Sequence, residues 1–528
     1  MQLIDKDLLS MQEVRELVEA AKEAQQELAR MDQAQVDRIV RAIADAGVRN
    51  ARRLAQMANE DTGFGIVDDK VIKNIFASRG VYEHIKDMKT IGEISRDDAK
   101  RLRTIAVPVG VIAGLIPSTN PTSTALYKAE IAIKAGNAIV FSPHPTALRC
   151  ILETVKVIRQ AVAEAGGNEN LVSCITIPTM EATDNLMRHR DVAMILATGG
   201  SAMVRAAYSS GTPAIGVGPG NGPAYLEKTC DLPLAVKRIL DSKTFDNGTI
   251  CASEQSIICD DDMVPAVKAE MERQGAYFLD DEEREKLGRF ILRSTGTMNP
   301  EIVGRSVKTI ANLAGLEKVP ATARVLVAKE TGVGRGHPYS NEKLGPILAF
   351  YTAENYEKVC EKVCEILHYE GAGHTFSMHT NDDKMVDYFA RRVPASRVMV
   401  NTPSALGGIG GMAYIVPAVG DWNFETGVAG MGFLALAVMI FGQWKPLNIA
   451  GASLFFAVFR AMANIFDSIP ALKALGWPKE IYNMMPFIAS MVVLAFTSKK
   501  SRALDLSMSD FDNCEAPLRF LPASSTQS

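Results

Sequence analysis

The chain lacks an excess of either charge: 57 lysines and arginines face 61 aspartates and glutamates, for a formal net charge of -4. Because positive charge is not in excess, nucleic acid is not an expected partner. Its eight cysteines have no metal-finger spacing, and no nearby pair completes a zinc set with Cys360 and Cys364, so no metal site is expected. The run MQLIDKDLLSMQEVRELVEA is acidic and amphipathic, unlike a signal peptide. No apolar run before Gly411 is long enough to span a bilayer. These absences predict a cytoplasmic body for this part of the chain.

The composition changes beyond Gly411, where charged residues become sparse. At 528 residues the chain is long enough for about three domains. Its last part contains three apolar runs, each approaching the roughly 20 residues that cross a bilayer: 427–442 (GVAGMGFLALAVMIFG), 448–466 (NIAGASLFFAVFRAMANIF) and 484–497 (MMPFIASMVVLAFT). The basic cluster at 499–502 favours the cytoplasmic side. These runs predict transmembrane helices; three buried core helices of a soluble domain are the alternative.

From Val107 onward, short apolar runs alternate with helical ones. The first set of strand candidates is VPVGVIAGLIP, AIVFS, LVSCITI, VAMILAT and AIGVG; the second is SEQSIICD, ARVLVAKE, GPILAFYT, HTFSMHT and SRVMVN. This rhythm predicts an α/β protein with two doubly wound parallel-sheet domains. The stretch 89–108 (KTIGEISRDDAKRLRTIAVP) is typical of an extended hairpin, and an exposed loop fits it equally well.

The run TFDNGTICASEQS, residues 244–256, places Cys251 behind an Asn247-Gly248 turn. A nucleophilic thiol needs a polar, partly open setting of this kind. Together with GLIPSTNPTSTALYKAE, which contains Asn120, this run resembles the active-site loop of the aldehyde dehydrogenase superfamily. The resemblance covers residues 10–411. Within the superfamily it is to the branch that passes its acyl group to coenzyme A, including the aldehyde dehydrogenase half of bifunctional aldehyde-alcohol dehydrogenases.

The resemblance implies an NAD-binding domain at 1–225, with an oligomerisation hairpin at about 89–108, and a truncated catalytic domain at 226–411. It further implies that Cys251 attacks a small aldehyde while the Asn120 amide donates to the oxyanion, and that the acyl group passes reversibly to coenzyme A, giving an acyl-CoA. Acetaldehyde is the default substrate; propionaldehyde and sulfonated or hydroxylated short aldehydes stay open. A homo-oligomer is implied for the dehydrogenase body. Cys174 and Cys259, set in apolar strands, fit a structural role.

A strand, a turn and a helix start at ILATGGSAMVRAA offer backbone N–H groups to a pyrophosphate. The SPHP segment lies where hydrolytic relatives have a lysine that binds the adenosine ribose. The preference for NAD or NADP therefore stays open. The glutamate of NEKLGPIL matches the one that holds the nicotinamide ribose; a solvated charge at a helix start is the alternative. The implied NAD contacts are Thr198, Gly199, Gly200, Ser201, Ser142, His144 and Glu342.

One position separates the branches of the family. Hydrolytic aldehyde dehydrogenases have a glutamate that activates water where this chain has Gly216, and the next carboxylate is Glu227. Hydrolysis of the thioester should therefore be slow, which leaves coenzyme A to accept the acyl group. His374, in the EGAGHT turn, is also typical of the acylating branch. It could assist acyl transfer or be a hydrogen-bonded structural histidine.

Beyond Gly411 the first resemblance ends. Residues 412–505 resemble the C-terminal membrane segment of a sugar or nucleoside ABC transporter permease, and 506–528 are expected to be a disordered tail. Three interpretations stay open: a membrane-tethered acylating enzyme, a transport component with an enzymatic remnant, or a join of two unrelated reading frames. The body is expected in the cytoplasm, and at the membrane if the C-terminal helices insert. The N-terminal helix could address a bacterial microcompartment, as in some relatives, or simply be the first helix of the fold.

Overall fold

The computed structural model describes residues 5–293 and 296–407. In this part of the chain the predicted α/β architecture is present as two parallel sheets flanked by helices. The permease-like segment 412–505 and the tail 506–528 lie outside the described residues. Among the residues that are described, no helix combines the length and apolar character needed to cross a membrane.

The first sheet has five parallel strands in the order β5-β4-β3-β6-β7. They are β3 (Val111–Ile116), β4 (Ala138–Pro143), β5 (Val172–Cys174), β6 (Val192–Thr198) and β7 (Ala214–Val217). Every residue of the two central strands, β3 and β4, is buried, because helices cover both faces of the sheet. These helices are α5 (Pro121–Lys134), α6 (Leu148–Glu164), α7 (Met180–Met187) and α8 (Ser201–Tyr208).

Four helices precede this sheet: α1 (Lys6–Leu28), α2 (Gln33–Thr62), α3 (Val67–Ile75) and α4 (Val81–Ile85). The α2 helix begins with a capping box at Asp32 and ends at Gly63, whose φ of +67° is left-handed. The apolar face of α1, including Val14 and Val18, is fully buried in the core of the first sheet. Its burial favours the interpretation of α1 as the first helix of the fold.

The stretch predicted as either a hairpin or a loop is an antiparallel hairpin. Its strands are β1 (Gly92–Asp97) and β2 (Leu102–Ala106). Apolar side chains on its second strand and just after it are exposed: Ile105 is 59% exposed and Val107 is 75% exposed. An apolar surface of this kind is suited to contact with another chain.

The second sheet has seven parallel strands in the order β10-β11-β12-β9-β8-β13-β14. They are β8 (Gly222–Leu226), β9 (Glu254–Asp260), β10 (Ala276–Phe278), β11 (Val325–Lys329), β12 (Ile347–Ala353), β13 (Thr375–His379) and β14 (Arg397–Val400). Apolar clusters cover both of its faces. The helices of this part are α9 (Leu232–Thr244), α10 (Val264–Arg273), α11 (Asp281–Ile291), α12 (Val307–Ala314), α13 (Tyr356–Tyr369) and α14 (Asp383–Ala390). The domain boundary predicted at residue 225 falls inside β8.

Candidate active site

Cys251 lies in the loop that joins α9 to β9. The loop turns sharply because Asp246 and Asn247 both adopt left-handed backbone angles, with φ of 50° and 51°, which these residue types tolerate better than most. The turn leaves Cys251 half-buried, with the backbone N–H groups of Cys251 and Ala252 beside its sulfur. The predicted turn before Cys251 is present.

Burial raises the pKa of the Cys251 thiol above its ordinary value. The positive charges of Arg397 and Lys73 oppose this effect, as do the two backbone N–H groups. These four groups all favour the thiolate, the form that attacks carbonyl carbon. Burial remains the larger effect, so the pKa of the thiol stays raised while these four groups offset part of the cost of the thiolate.

Asn120 is the N-cap of α5, directly before Pro121 at the first helical position. Its Oδ1 accepts a hydrogen bond from Lys73 Nζ at 2.7 Å, and its Nδ2 donates to the carbonyl oxygen of Thr249 at 3.3 Å. Thr249 is two residues before the nucleophile. The structure thus brings Asn120 and the Cys251 loop together, although 129 residues separate Asn120 from Thr249 in the sequence.

The other side of Cys251 is closed by a glycine-rich loop between β7 and β8. A Cβ atom at Gly220 would lie 1.8 Å from the carbonyl oxygen of Cys251 and 2.9 Å from Cε1 of His374. The N–H of Gly220 donates to Oε1 of Glu342 at 2.8 Å. Glu342 lies in a loop and not at a helix start. Burial, together with the charge of Cys251, raises the pKa of Glu342 to about 8.

The hydroxyl of Thr375 connects His374 to Arg397. Thr375 Oγ1 accepts from Nη2 and Nε of Arg397, at 2.7 and 3.2 Å, and lies 2.9 Å from Nδ1 of His374. The Arg397 side chain has no acceptor atom. Within the described part of the chain, the buried Thr375 hydroxyl therefore donates its hydrogen to Nδ1 of His374. The neutral His374 ring therefore carries its proton on Nε2. Burial, with the charge of Arg397, lowers the pKa of His374 to about 4 and keeps the ring neutral at pH 7.

The turn predicted to contact the cofactor joins β6 to α8. Thr198 ends the strand, Gly200 is the N-cap and Ser201 begins the helix. A Cβ atom at Gly200 would meet nothing within 4 Å, and the first turn of α8 has no acidic residue. An open helix start with free N–H groups suits a pyrophosphate. These residues fit NAD.

The remaining two predicted cofactor contacts lie at the end of β4: Ser142 inside the strand and His144 directly after it. Ser142 is buried and its hydroxyl pairs with that of Thr183 at 2.8 Å, whereas His144 is exposed just after the strand. The Ser142 side chain is thus enclosed by the protein. The roles of Ser142 and His144 as cofactor contacts stay predictions.

The structure also shows where the residues considered for hydrolysis or for a structural role lie. Gly216 lies in β7, and a Cβ atom there would come within 2.6 Å of Val204 on α8. Glu227 is buried and accepts a hydrogen bond from Thr380 at 2.7 Å. Cys174 and Cys259 are buried, as a structural role requires.

Sequence reasoning missed four polar residues of this site. They are Lys73, Asp246, Thr375 and Arg397. Lys70 and Lys73 lie one helical turn apart and are buried together with Asn74 on α3; this spacing on one helix face was the available signal for a pair of cations. Nothing in the local sequence marks Arg397, which reaches the site only through the pairing of β13 with β14.

Comparison with known proteins agrees with this geometry. The sequence profile of the aldehyde dehydrogenase family matches residues 4–284, more than half of the chain. The chain belongs to the aldehyde dehydrogenase family. Among family members of known structure, a probable aldehyde dehydrogenase from Listeria monocytogenes EGD-e is similar, at 61% identity with a TM-score of 0.77, over 79% of this chain and 93% of that one. An acetylating aldehyde dehydrogenase from Geobacillus thermoglucosidasius is 50% identical with a TM-score of 0.75, over 77% of this chain and 90% of that one.

A curated member of the family is also similar. Bifunctional aldehyde-alcohol dehydrogenase AdhE of Escherichia coli (strain K12) is 44% identical over 401 residues, which are 75% of this chain and 45% of that protein. The chain thus spans about half the length of this relative. The predicted aldehyde dehydrogenase family and its fold are confirmed.

Proposed function

We propose that the chain is a coenzyme A-acylating aldehyde dehydrogenase, which oxidises a short aldehyde and transfers the acyl group from Cys251 to coenzyme A. The observation that carries this proposal is the convergence of three distant segments on the loop that holds Cys251. Asn120 approaches from α5, Gly220 from the loop before β8 and His374 from the start of β13. The similarity to an acetylating aldehyde dehydrogenase supports the same assignment.

The first half of the reaction takes place on Cys251. Its thiolate attacks the aldehyde carbon, which forms a carbon–sulfur bond and places negative charge on the former carbonyl oxygen. The Asn120 amide and the backbone N–H groups beside the sulfur donate hydrogen bonds to that oxygen. Donors fixed in advance stabilise the charge as it develops, and this lowers the barrier to attack.

The first half ends when the hemithioacetal becomes a thioester. NAD, when bound at the turn after β6, supplies the acceptor for the hydride that leaves the former aldehyde carbon. As the hydride leaves, the oxygen returns to a carbonyl and the thioester remains on Cys251. The open helix start at Gly200 would hold the pyrophosphate of this cofactor, and Glu342 would hold its nicotinamide ribose.

The acyl group then leaves to coenzyme A rather than to water. The sulfur of the coenzyme A thiolate attacks the thioester carbon and the Cys251 thiolate departs, so the sulfur–carbon bond is exchanged without net oxidation. His374 presents Nε2–H, which donates to the carbonyl oxygen as charge builds there. Because Gly216 supplies no carboxylate, water is not activated at this position.

The test is NADH formation from acetaldehyde by the full chain, with and without coenzyme A. We expect NADH to accumulate steadily only when coenzyme A is present, with an equal amount of acetyl-CoA. Steady NADH formation without coenzyme A, accompanied by acetate, would instead assign the chain to the hydrolytic branch. Propionaldehyde and sulfonated or hydroxylated short aldehydes, tested alongside, rank the substrates, and NADP in place of NAD ranks the cofactors.

The same proposal extends to subunit contact. The β1–β2 hairpin exposes Leu102, Ile105 and Val107, which we propose as part of a homo-oligomer interface. Exposed apolar groups in one strip are stabilised by burial against a second chain.

Residues 412–505 carry a separate prediction, based on their apolar runs, that they attach the body to a membrane. Washing cell membranes with alkaline carbonate decides between the interpretations. Retention of the full chain in the membranes supports insertion, and its release supports buried helices of a soluble domain. The intact Cys251 and Asn120, together with the family match, favour an enzyme over a transport component.

A further inference from the structure

Two lysines of α3 converge on the loop that carries the nucleophile. Lys70 and Lys73 are 3% and 6% exposed, and both donate to Oδ2 of Asp246, which is fully buried. A buried charge is costly unless it is paired and hydrogen-bonded. Asp246 meets this need: its Oδ2 accepts from Lys70 at 3.0 Å and from the Thr249 hydroxyl at 2.6 Å, besides the close contact with Lys73.

Lys73 uses all three of its ammonium hydrogens inside the site. Besides Asp246, Nζ donates to Oδ1 of Asn120 at 2.7 Å and to the Thr249 hydroxyl at 3.0 Å. Because Oδ1 of Asn120 accepts from a cation, its Nδ2 must face the opposite side, where it donates to Thr249 O and to Thr119 Oγ1.

These two Nδ2 bonds are weak. They measure 3.3 and 3.2 Å, longer than the usual 2.9 to 3.0 Å or so of an N–H···O bond. An alkoxide, which is charged, accepts more strongly than either neutral partner. The amide can therefore redirect a hydrogen to the reacting oxygen without losing a good bond.

The charge nearest the Asn120 amide is positive. Two ammonium groups, Lys70 and Lys73, pair with one buried carboxylate, Asp246. The next carboxylate, Asp69, accepts from the backbone N–H of Asp246 at 2.7 Å and lies on the far side of that pair from Asn120 in the chain of contacts. The atom of the cluster that touches the Asn120 side chain is Nζ of Lys73, at 2.7 Å from Oδ1.

We propose that Lys73 is a positioning residue of the oxyanion site: its ammonium group holds the Asn120 amide in the donating orientation and places positive charge behind it. The inference rests on the proposed function, because the oxyanion belongs to that reaction. It adds to that function a residue that touches neither substrate nor cofactor, and that acts through Asn120.

The test is a double-mutant cycle between Lys73→Met and Asn120→Ala in the full chain. Each single variant should lower kcat for aldehyde oxidation by about 100-fold, the size of a lost oxyanion donor, and leave KM nearly unchanged. The double variant should be no slower than the slower single variant, because both changes remove the same interaction. Losses that multiply, or a wild-type kcat in Lys73→Met, would overturn the inference.

Lys70→Met is the matched control. It removes the other ammonium group from Asp246, but its remaining contact is the carbonyl of Thr119 and not the Asn120 side chain. Both lysine variants should therefore lose a similar amount of thermal stability, whereas kcat should fall by less than about 10-fold in Lys70→Met. Equal losses of kcat in the two variants would show a purely structural role.

A second readout needs no aldehyde or coenzyme. The rate at which iodoacetamide alkylates Cys251 follows the thiolate fraction, so its pH midpoint reports the charge near the sulfur. Lys73→Met should move this midpoint to higher pH, and by more than Lys70→Met does. If the wild-type chain forms no NADH, the proposed function fails. The pH midpoint of Cys251 alkylation still tests the role of Lys73, and a midpoint that Lys73→Met does not move would overturn the inference.

Discussion

Replacing Gly220 by alanine tests how closely the site is built around the nucleophile. A Cβ atom there would lie 1.8 Å from the carbonyl oxygen of Cys251, whereas contacts under 3.0 Å are essentially never seen. Retreat of the loop is opposed by the hydrogen bond from Gly220 N–H to Glu342. The backbone of the nucleophile must therefore shift by roughly 1.2 Å. A misplacement of about 1 Å can cost on the order of 100-fold in rate, or about 2.7 kcal/mol of activation free energy.

The assay is kcat for coenzyme A-dependent NADH formation, measured beside thermal unfolding. Gly218→Ala is the control, because Gly218 lies in the same loop and a Cβ atom there would meet nothing within 4 Å. We expect Gly218→Ala to keep its activity and Gly220→Ala to lose about 100-fold while still folding. A Gly220→Ala variant within threefold of wild type would refute the close approach of this loop to Cys251.

Three further predictions follow from the same structure. Asn120→Ala should lower kcat by about 100-fold with little change in KM for the aldehyde; steady-state kinetics at saturating coenzyme A measures it, and an unchanged kcat would remove Asn120 from the oxyanion site. His379 is buried, and its ring nitrogens have no partner in the described part of the chain. Burial lowers the pKa of His379 to about 4, so the unfolded chain binds the extra proton between pH 6.5 and 4. The free energy of unfolding should fall as pH falls through this window, by up to about 3 kcal/mol for this group; urea unfolding of His379→Gln should show a shallower fall, and an equal slope would contradict the assignment. Ile105→Asp in the hairpin should shift the chain to a smaller species in size-exclusion chromatography, and an unchanged elution volume would place the interface elsewhere.

The sequence predicted the parts of the fold that have a strong local pattern. The apolar runs around Val111, Ala138 and Val192 are strands of the first sheet, because a strand buried on both faces needs an uninterrupted apolar run. The strand at Gly222–Leu226 was not predicted, since its Gly-Pro start is typical of a turn. Its strand character comes from pairing with β9 and β13 on both sides, which no local pattern reveals.

The candidate site likewise contains residues that the sequence predicts and residues that only the fold reveals. Cys251 and Asn120 were predicted because each lies in a run that matches the family residue by residue, and the structure brings their loops together. Lys73, which supports them, is far from its partners in the sequence: it reaches Asn120 across 47 residues and Asp246 across 173. A charged residue in a helix is ordinarily solvated, so only the fold shows that this one is buried and bonded.

The central claim is that an acyl group passes from Cys251 to coenzyme A. Peptide mapping by mass spectrometry tests it directly, after the full chain is incubated with acetaldehyde and NAD and quenched in acid. We expect one acetyl thioester, on the peptide that contains Cys251, which disappears as acetyl-CoA forms when coenzyme A is added before the quench. NADH formation with no acetyl group on Cys251, or a thioester that is lost equally fast without coenzyme A, would contradict the account.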